Sequence, residues 1–88
     1  MSSAAKIVMY GTNYCSYCMA ARMLLKKKGV EVEEILVSDD PDSFREMQQK
    51  SGRRSVPQIF INDNAIGGFD ELYQLEQSGD LDQLISQE

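Results

Sequence analysis

The 88-residue sequence contains no histidine, no tryptophan and only two cysteines. Without histidine, the chain cannot form the Cys–His pair that many cysteine nucleophiles use. A zinc site held by one chain needs about four Cys or His ligands, and small secreted disulfide scaffolds usually carry more cysteines than this chain has. The two cysteines, Cys15 and Cys18, form a Cys-x-x-Cys pair. The functions that remain for this pair are redox chemistry and a site shared between two chains.

Long apolar runs are also absent, since none approaches the roughly 20 residues of a membrane span. The net charge of −5 disfavours binding to nucleic acid, and we expect neither nucleic acid nor membrane as a partner. The charge is uneven, because residues 1–30 carry five bases and no acid while residues 31–88 carry four bases and 14 acids.

Residues 1–5 show no signal-peptide pattern. We expect them to be a frayed terminus or tag remnant, and the protein to be cytoplasmic.

Periodicity and turn residues predict one α/β domain over residues 1–88 with the element order β-α-β-α-β-β-α-α. Asp40 and Pro41 form a strong helix start, and the first β-α-β unit should be a right-handed crossover between parallel strands. These elements predict a mixed four-stranded sheet flanked by helices on both faces. The predicted strands are 6–10, 30–37, 58–61 and 65–66, and the predicted helices are 16–28, 41–51, 70–78 and 81–86.

The two cysteines, Cys15 and Cys18, lie where the first predicted strand passes into the first predicted helix. A three-residue spacing places both sulfurs on one side of the helix, within reach of a disulfide. Cys15 then faces the unsatisfied amides and the positive end of the helix dipole, which favour a thiolate over a thiol. Cys18 lies inside the helix, so we expect it to be less exposed and to act as the resolving thiol.

Three motifs make the sequence resemble the glutaredoxin family of the thioredoxin-fold superfamily, from Lys6 to about Leu84. Cys15-Ser16-Tyr17-Cys18 is close to the family's Cys-Pro-Tyr-Cys. Arg54-Ser55-Val56-Pro57 and the strand after it are close to the family's Thr-Val-Pro segment. Gly67-Gly68-Phe69-Asp70 is close to its Gly-Gly-x-Asp motif. The resemblance implies a thioredoxin-like fold and a glutathione-dependent thiol–disulfide oxidoreductase that acts on glutathione mixed disulfides and protein disulfides.

The resemblance also implies a glutathione site beside the catalytic pair Cys15 and Cys18. Pro57 would be a cis proline, and Val56 would pair its backbone with the cysteinyl part of glutathione like an added strand. The helix start after Gly67 would bind the γ-glutamyl carboxylate through backbone amides, and Asp70 would pair with its ammonium. The predicted glutathione-binding residues are Tyr17, Arg54, Ser55, Val56, Pro57, Gly68, Phe69 and Asp70.

The sequence departs from the family pattern at two positions. Thr12 stands where the family often has a lysine for the glycyl carboxylate or the thiolate. Arg45, Arg53 and Arg54 are the candidates to supply that charge, because arginine binds carboxylates well. Ser16 replaces the motif proline, which leaves the helix start less constrained.

Two alternative functions follow from the same residues. Some members of the family hold a 2Fe-2S cluster between two subunits, ligated by the first cysteine of each chain and two glutathiones. Replacement of the motif proline is associated with that behaviour, so Cys15 is a predicted cluster ligand in a bridged homodimer, and no other metal ligand is predicted. A thioredoxin is disfavoured, because the Trp-Cys-Gly-Pro-Cys motif is missing. We expect a monomer whose partners are glutathione and glutathionylated or disulfide-bonded proteins.

Overall fold

The structure, a computed structural model, describes residues 5–85 and confirms the predicted element order. The bounds of α2 and β3 agree with the prediction, and the described ends of the other elements lie within one residue of it, except that β2 begins two residues later than predicted. The elements are β1 (Ile7–Gly11), α1 (Ser16–Lys27), β2 (Val32–Leu36), α2 (Pro41–Ser51), β3 (Gln58–Ile61), β4 (Asn64–Gly67), α3 (Phe69–Ser78) and α4 (Asp80–Ile85).

The sheet has four strands in the order β2-β1-β3-β4, and it is mixed as predicted. β1 runs parallel to β2 and antiparallel to β3, and β3 runs antiparallel to β4. The carboxyl ends of β1 and β2 therefore meet at one edge of the sheet, where the Val37 amide donates to the Gly11 carbonyl at 3.0 Å. The segment that carries Cys15 leaves the sheet at this edge.

Each face of the sheet has its own apolar core. On one face α1, α3 and α4 pack over Met9 and Ile59, and Leu25 and Leu72 are fully buried between them. On the other face α2 covers Tyr10, Val37 and Phe60 with Met47, and the Tyr10 and Phe60 rings meet edge to face at 5.7 Å between centroids. This arrangement confirms the predicted thioredoxin-like fold with helices on both sides of the sheet.

The start of α2 follows the predicted helix signal. Asp40 is its N-cap, and one carboxylate oxygen accepts hydrogen bonds from the backbone amides of Asp42 and Ser43 at 3.1 and 3.3 Å. Pro41 occupies the first turn, where a missing amide costs nothing. The cap satisfies donors that the helix itself cannot, so α2 begins at a fixed point after β2.

The chain start needs one correction. Ala5, which we expected to belong to a frayed terminus, is only 9% exposed and packs against the core beneath α1. Residues 1–4 and residue 86, the predicted end of the last helix, lie outside the described part of the chain. Among the helices of residues 5–85, none combines the length and apolar character needed to cross a membrane.

Candidate active site

Cys15 is the N-cap residue of α1. Its backbone is extended, with φ of −98° and ψ of 121°, and its Sγ accepts a hydrogen bond from the Cys18 amide at 3.3 Å. The sulfur is half-buried, and the first turn of α1 contains no acidic residue. A helix N-terminus free of acids stabilises an anion through its open amides and dipole. The position therefore suits a sulfur that must carry negative charge during exchange.

A distant segment completes the environment of this sulfur. The Cys15 thiol donates to the Val56 carbonyl at 3.8 Å, although 41 residues separate the two in sequence. The peptide bond between Val56 and Pro57 is cis, as the resemblance implied. The loop before β3 therefore lies directly against the sulfur and exposes peptide groups to whatever approaches Cys15.

Cys18 has a different environment from Cys15. It is fully buried in α1 beneath the end of β1, so close to Gly11 that a Cβ there would lie 3.0 Å from its sulfur. The pKa of the Cys18 thiol is raised to about 11, mainly by burial; the Thr12 backbone lowers it in part, and the neighbouring Cys15 adds a smaller increase. Cys18 is therefore a protonated thiol at neutral pH, in agreement with the expectation that it is the less exposed of the two.

We predict that iodoacetamide alkylates Cys15 and spares Cys18 in the native protein. With a pKa of about 11, the Cys18 thiolate fraction at pH 7.5 is only about 0.03%, and the thiolate is the reactive form. Peptide mass spectrometry after a short treatment at pH 7.5 measures the two sites separately. Both cysteines should react in urea, and equal labelling of both in the folded protein would contradict this account of Cys18.

A cleft of about 250 Å³ opens beside Cys15, between the loop before β3 and the start of α3. The first two residues of α3, Phe69 and Asp70, present amides that have no acceptor within the helix, and Asp70 is exposed. Arg54 is the one predicted glutathione-binding residue that does not line this cleft. Those that do are Tyr17, Ser55, Val56, Pro57, Gly68, Phe69 and Asp70.

Two aromatic rings, Tyr17 and Phe69, line the cleft, and Tyr73 extends this row along α3. The ring centroids of Tyr17 and Phe69 lie 6.2 Å apart, and those of Phe69 and Tyr73 lie 5.8 Å apart. In both pairs the ring planes are inclined to each other by about 30°. Tyr17 is 60% exposed, so its ring stands at the mouth of the cleft as expected. The helical spacing of Leu72, Tyr73 and Leu75 makes Tyr73 a candidate for the buried stripe of α3 on sequence alone, but it is 49% exposed, because Leu72 takes the inward position.

The cleft is also lined by Arg53, one of the three candidates for the charge missing at Thr12, and by Glu71, which the predicted site omits. A Glu71 carboxylate oxygen accepts a hydrogen bond from the Gly68 amide at 2.8 Å, and the other pairs with Arg53 at 3.3 Å. The Gly68 amide lowers the pKa of Glu71, with a smaller contribution from Arg53. The Gly68 amide is thus engaged by Glu71, and the amides of Phe69 and Asp70 are the ones left for a ligand carboxylate. The pattern Gly-x-x-Glu at a helix start could have indicated this cap.

The three arginines proposed to replace a lysine at position 12 separate in space. Arg45 lies on the exposed side of α2, where it approaches Asp42 at 4.0 Å. Arg53 belongs to the cleft and pairs with Glu71. Arg54 lines a different hollow, together with Thr12, on the α2 side of the same loop.

The fold and the Cys-x-x-Cys pair at a helix N-terminus define a protein of the thioredoxin-like class. The chain belongs to the glutaredoxin family, whose members are generally thiol–disulfide oxidoreductases and whose model matches residues 7–66. Glutaredoxin of Neisseria meningitidis serogroup A is 49% identical over 81 residues, covering 91% of this chain and 95% of that protein.

Solved structures agree with this assignment. The solution structure of glutaredoxin from Brucella melitensis superposes with a TM-score of 0.84 at 44% identity, covering 96% of this chain and 91% of that one. A buckwheat glutaredoxin–glutathione complex also superposes with a TM-score of 0.84, at 26% identity and 92% coverage of this chain against 76% of that one.

Proposed function

We propose that this protein reduces glutathione mixed disulfides and protein disulfides, with glutathione as the reductant and Cys15 as the nucleophile. One observation supports this most: the half-buried Cys15 sulfur lies against Val56, which also lines the cleft at the start of α3. The cleft offers backbone groups, two helix amides and a carboxylate, which suit a γ-glutamyl peptide bearing an ammonium and a carboxylate. The buckwheat relative with the same fold forms a complex with glutathione.

In the first step, the Cys15 thiolate attacks the glutathione sulfur of a protein–glutathione disulfide. A Cys15–glutathione disulfide forms, the original disulfide breaks, and the target protein leaves as a thiolate that takes a proton from solvent. In the second step, a glutathione thiolate attacks the glutathione sulfur bound to Cys15. Oxidised glutathione leaves and the Cys15 thiolate is restored, so the cycle needs no outside oxidant.

A second branch uses Cys18. Its thiolate attacks the Cys15 sulfur of the glutathione adduct, which expels glutathione and closes a Cys15–Cys18 disulfide that glutathione later reopens. This attack requires removal of a proton from a buried thiol whose pKa is raised to about 11. The branch is therefore slow at neutral pH, and the monothiol cycle carries most of the turnover.

Asp70 has a testable role in this scheme. Asp70→Asn should raise the KM for glutathione by about ten-fold and leave kcat within about two-fold, because a charge-assisted hydrogen bond contributes about 1.5 kcal/mol. Steady-state assays at varied glutathione measure this. Asp63→Asn, on the exposed turn between β3 and β4, removes the same charge far from the cleft and should leave KM unchanged. Equal KM values for the two variants would contradict the assignment.

The function itself is tested by glutathione-dependent reduction of a glutathionylated peptide, coupled to glutathione reductase. Turnover that saturates in both peptide and glutathione is the expected result. Absence of turnover with glutathione, but activity with a thioredoxin reductase system, would contradict it.

We expect the protein to work as a monomer in the cytoplasm, where free thiols persist.

The 2Fe-2S carrier remains a prediction. Within residues 5–85 no three Cys, Asp or Glu side chains are grouped to hold a metal ion. Cys18 is buried and protonated, so each chain provides one accessible sulfur, Cys15. A single chain therefore does not fit a cluster, and a second chain with glutathione would have to supply the other ligands.

A further inference from the structure

The outer side of α1 carries two large apolar side chains that are exposed to solvent. Met19 is 52% exposed and Met23 is 68% exposed, whereas the methionines in β1 and α2 are fully buried. Met23 is four residues after Met19, and Met19 is four residues after Cys15, so the three lie along one side of the helix. Methionine adapts its shape to different partners and is enriched where proteins meet, so an exposed pair beside a reactive sulfur indicates an interface.

Two lysines continue this side of α1 at its carboxyl end. Lys26 and Lys27 follow Met23 at three and four residues, and both are exposed. The bases on either side of them are engaged, because Arg22 pairs with a glutamate of β2 and Lys28 pairs with one acid of α3 and one of α4. Within residues 5–85 the ammonium groups of Lys26 and Lys27 form no ion pair and no hydrogen bond. Both charges are therefore available to a partner.

We call the side chains of Met19, Met23, Lys26 and Lys27 the α1 surface. Its charge contrasts with that of the neighbouring helices, since residues 69–85, which form α3 and α4, contain five acids and no base. Those acids repel a broad polyanion, whereas two lysines at the end of an apolar pair attract a narrow acidic segment. The α1 surface thus fits a polypeptide segment with apolar side chains near Cys15 and negative charge further away.

The α1 surface and the cleft beside Cys15 lie on different sides of α1. Tyr17 lines the cleft and is two residues from Met19, and residues at that spacing do not share a side of a helix. Glutathione in the cleft would therefore leave the α1 surface free for the protein that carries it. A rise of about 1.5 Å per residue places Met19, Met23 and Lys27 about 6, 12 and 18 Å from Cys15 along the helix axis.

We propose that the α1 surface docks the protein part of a glutathionylated substrate and selects an acidic segment beside the target cysteine. This docking rests on the proposed function, which brings the target cysteine to Cys15. An extended segment advances about 3.3 Å per residue and turns alternate side chains to one face. Apolar residues two and four positions from the target cysteine then lie over Met19 and Met23. Acidic residues five and six positions away reach Lys26 and Lys27.

Two glutathionylated peptides test this selection, and both have leucine two and four positions from the cysteine. One has glutamate at positions five and six, and the other has lysine there. The wild type should have a KM about ten-fold lower for the glutamate peptide, and the ratio should fall as salt is added, because exposed charges are screened. Each peptide is made in both chain directions, and the direction with the larger ratio is used for the variants.

Lys26→Gln/Lys27→Gln should reduce this ratio to less than about two-fold, with kcat within about two-fold of the wild type. The matched control Arg45→Gln/Lys50→Gln removes the same charge from exposed positions on α2 and should keep the ratio. If the two lysines only complement the helix dipole, their replacement lowers stability without changing the ratio, and thermal unfolding measures that effect. A ratio that is equal in the lysine variant and the wild type overturns the docking.

The methionines give an independent readout. Met19→Gln/Met23→Gln should raise the KM for the glutamate peptide about three-fold at every salt concentration, because the contact is apolar and is not screened. Met19→Leu/Met23→Leu should match the wild type. With serine in place of both leucines of the peptide, the glutamine variant and the wild type should have the same KM. A difference that persists with the serine peptide overturns the apolar part of the docking.

The wild type separates this docking from the proposed function. Turnover of both charged peptides with equal KM overturns the docking alone. Absence of turnover with every glutathionylated peptide overturns the proposed function, and the docking fails with it.

Discussion

Replacing Cys15 with serine should lower glutathione-dependent turnover by at least about a thousand-fold, whereas Cys18→Ser should keep a rate within about three-fold of the wild type. Exchange requires a thiolate, and a serine hydroxyl is not ionised at neutral pH and forms no disulfide. Cys15 is the accessible sulfur, in contact with Val56 at the edge of the cleft. The chain has no other accessible cysteine to take its place.

The expected activity of Cys18→Ser follows from the environment of its thiol. Cys18 is buried and its pKa is raised to about 11, so it seldom attacks the Cys15–glutathione disulfide. Serine has a similar size and fills the space under Gly11. The coupled assay with glutathione reductase compares both variants at matched concentrations. A Cys18→Ser variant as inactive as Cys15→Ser would show that turnover requires the internal disulfide and would contradict the monothiol cycle.

Gly67→Ala should destabilise the fold by about 2–4 kcal/mol and weaken glutathione binding. Gly67 has φ of +117°, where a side chain adds about 1–3 kcal/mol of strain. A Cβ there would also lie 2.8 Å from the Glu71 carboxylate oxygen. Glu71 must move away, which breaks its hydrogen bond to the Gly68 amide and costs about 1 kcal/mol more. Both effects act on the start of α3, which forms the cleft.

Gly79→Ala is the matched control for this change. Gly79 also has a positive φ, +86°, but a Cβ there meets nothing within 4 Å. It should therefore cost only about 1 kcal/mol, through strain alone. Urea unfolding measures the free energy of both variants, and the KM for glutathione separates the cleft effect from the stability effect. Equal losses of stability in the two variants would show that Glu71 does not hold the start of α3.

The fold was accessible from the sequence because its signals are local. The Asp40–Pro41 start of α2 and the short β-branched strands fix element type without any distant contact. Tyr73 shows where such signals fail, because the inward and outward positions of a short helix differ by one residue and depend on which face meets the core. Ala5 was misplaced for a different reason, since small residues carry little pattern of their own.

The candidate site was predictable where motifs define it and unpredictable where side chains choose between neighbours. Cys15, Val56 and the start of α3 come together as the motifs implied. Arg53 and Arg54 are adjacent in sequence, yet their side chains enter hollows on opposite sides of the loop. No composition or periodicity distinguishes two consecutive arginines, and only the packing of α2 and α3 separates them.

The most direct test of glutathione-dependent exchange at Cys15 is the identity of the covalent intermediate. Reduced Cys18→Ser protein is mixed with a glutathionylated peptide, quenched with acid and analysed by intact and peptide mass spectrometry. Attack on the glutathione sulfur predicts release of free peptide and a protein heavier by one glutathione moiety, attached at Cys15. A disulfide between the protein and the peptide, with free glutathione released, would mean that the cleft does not direct the attack to glutathione and would contradict the proposed function.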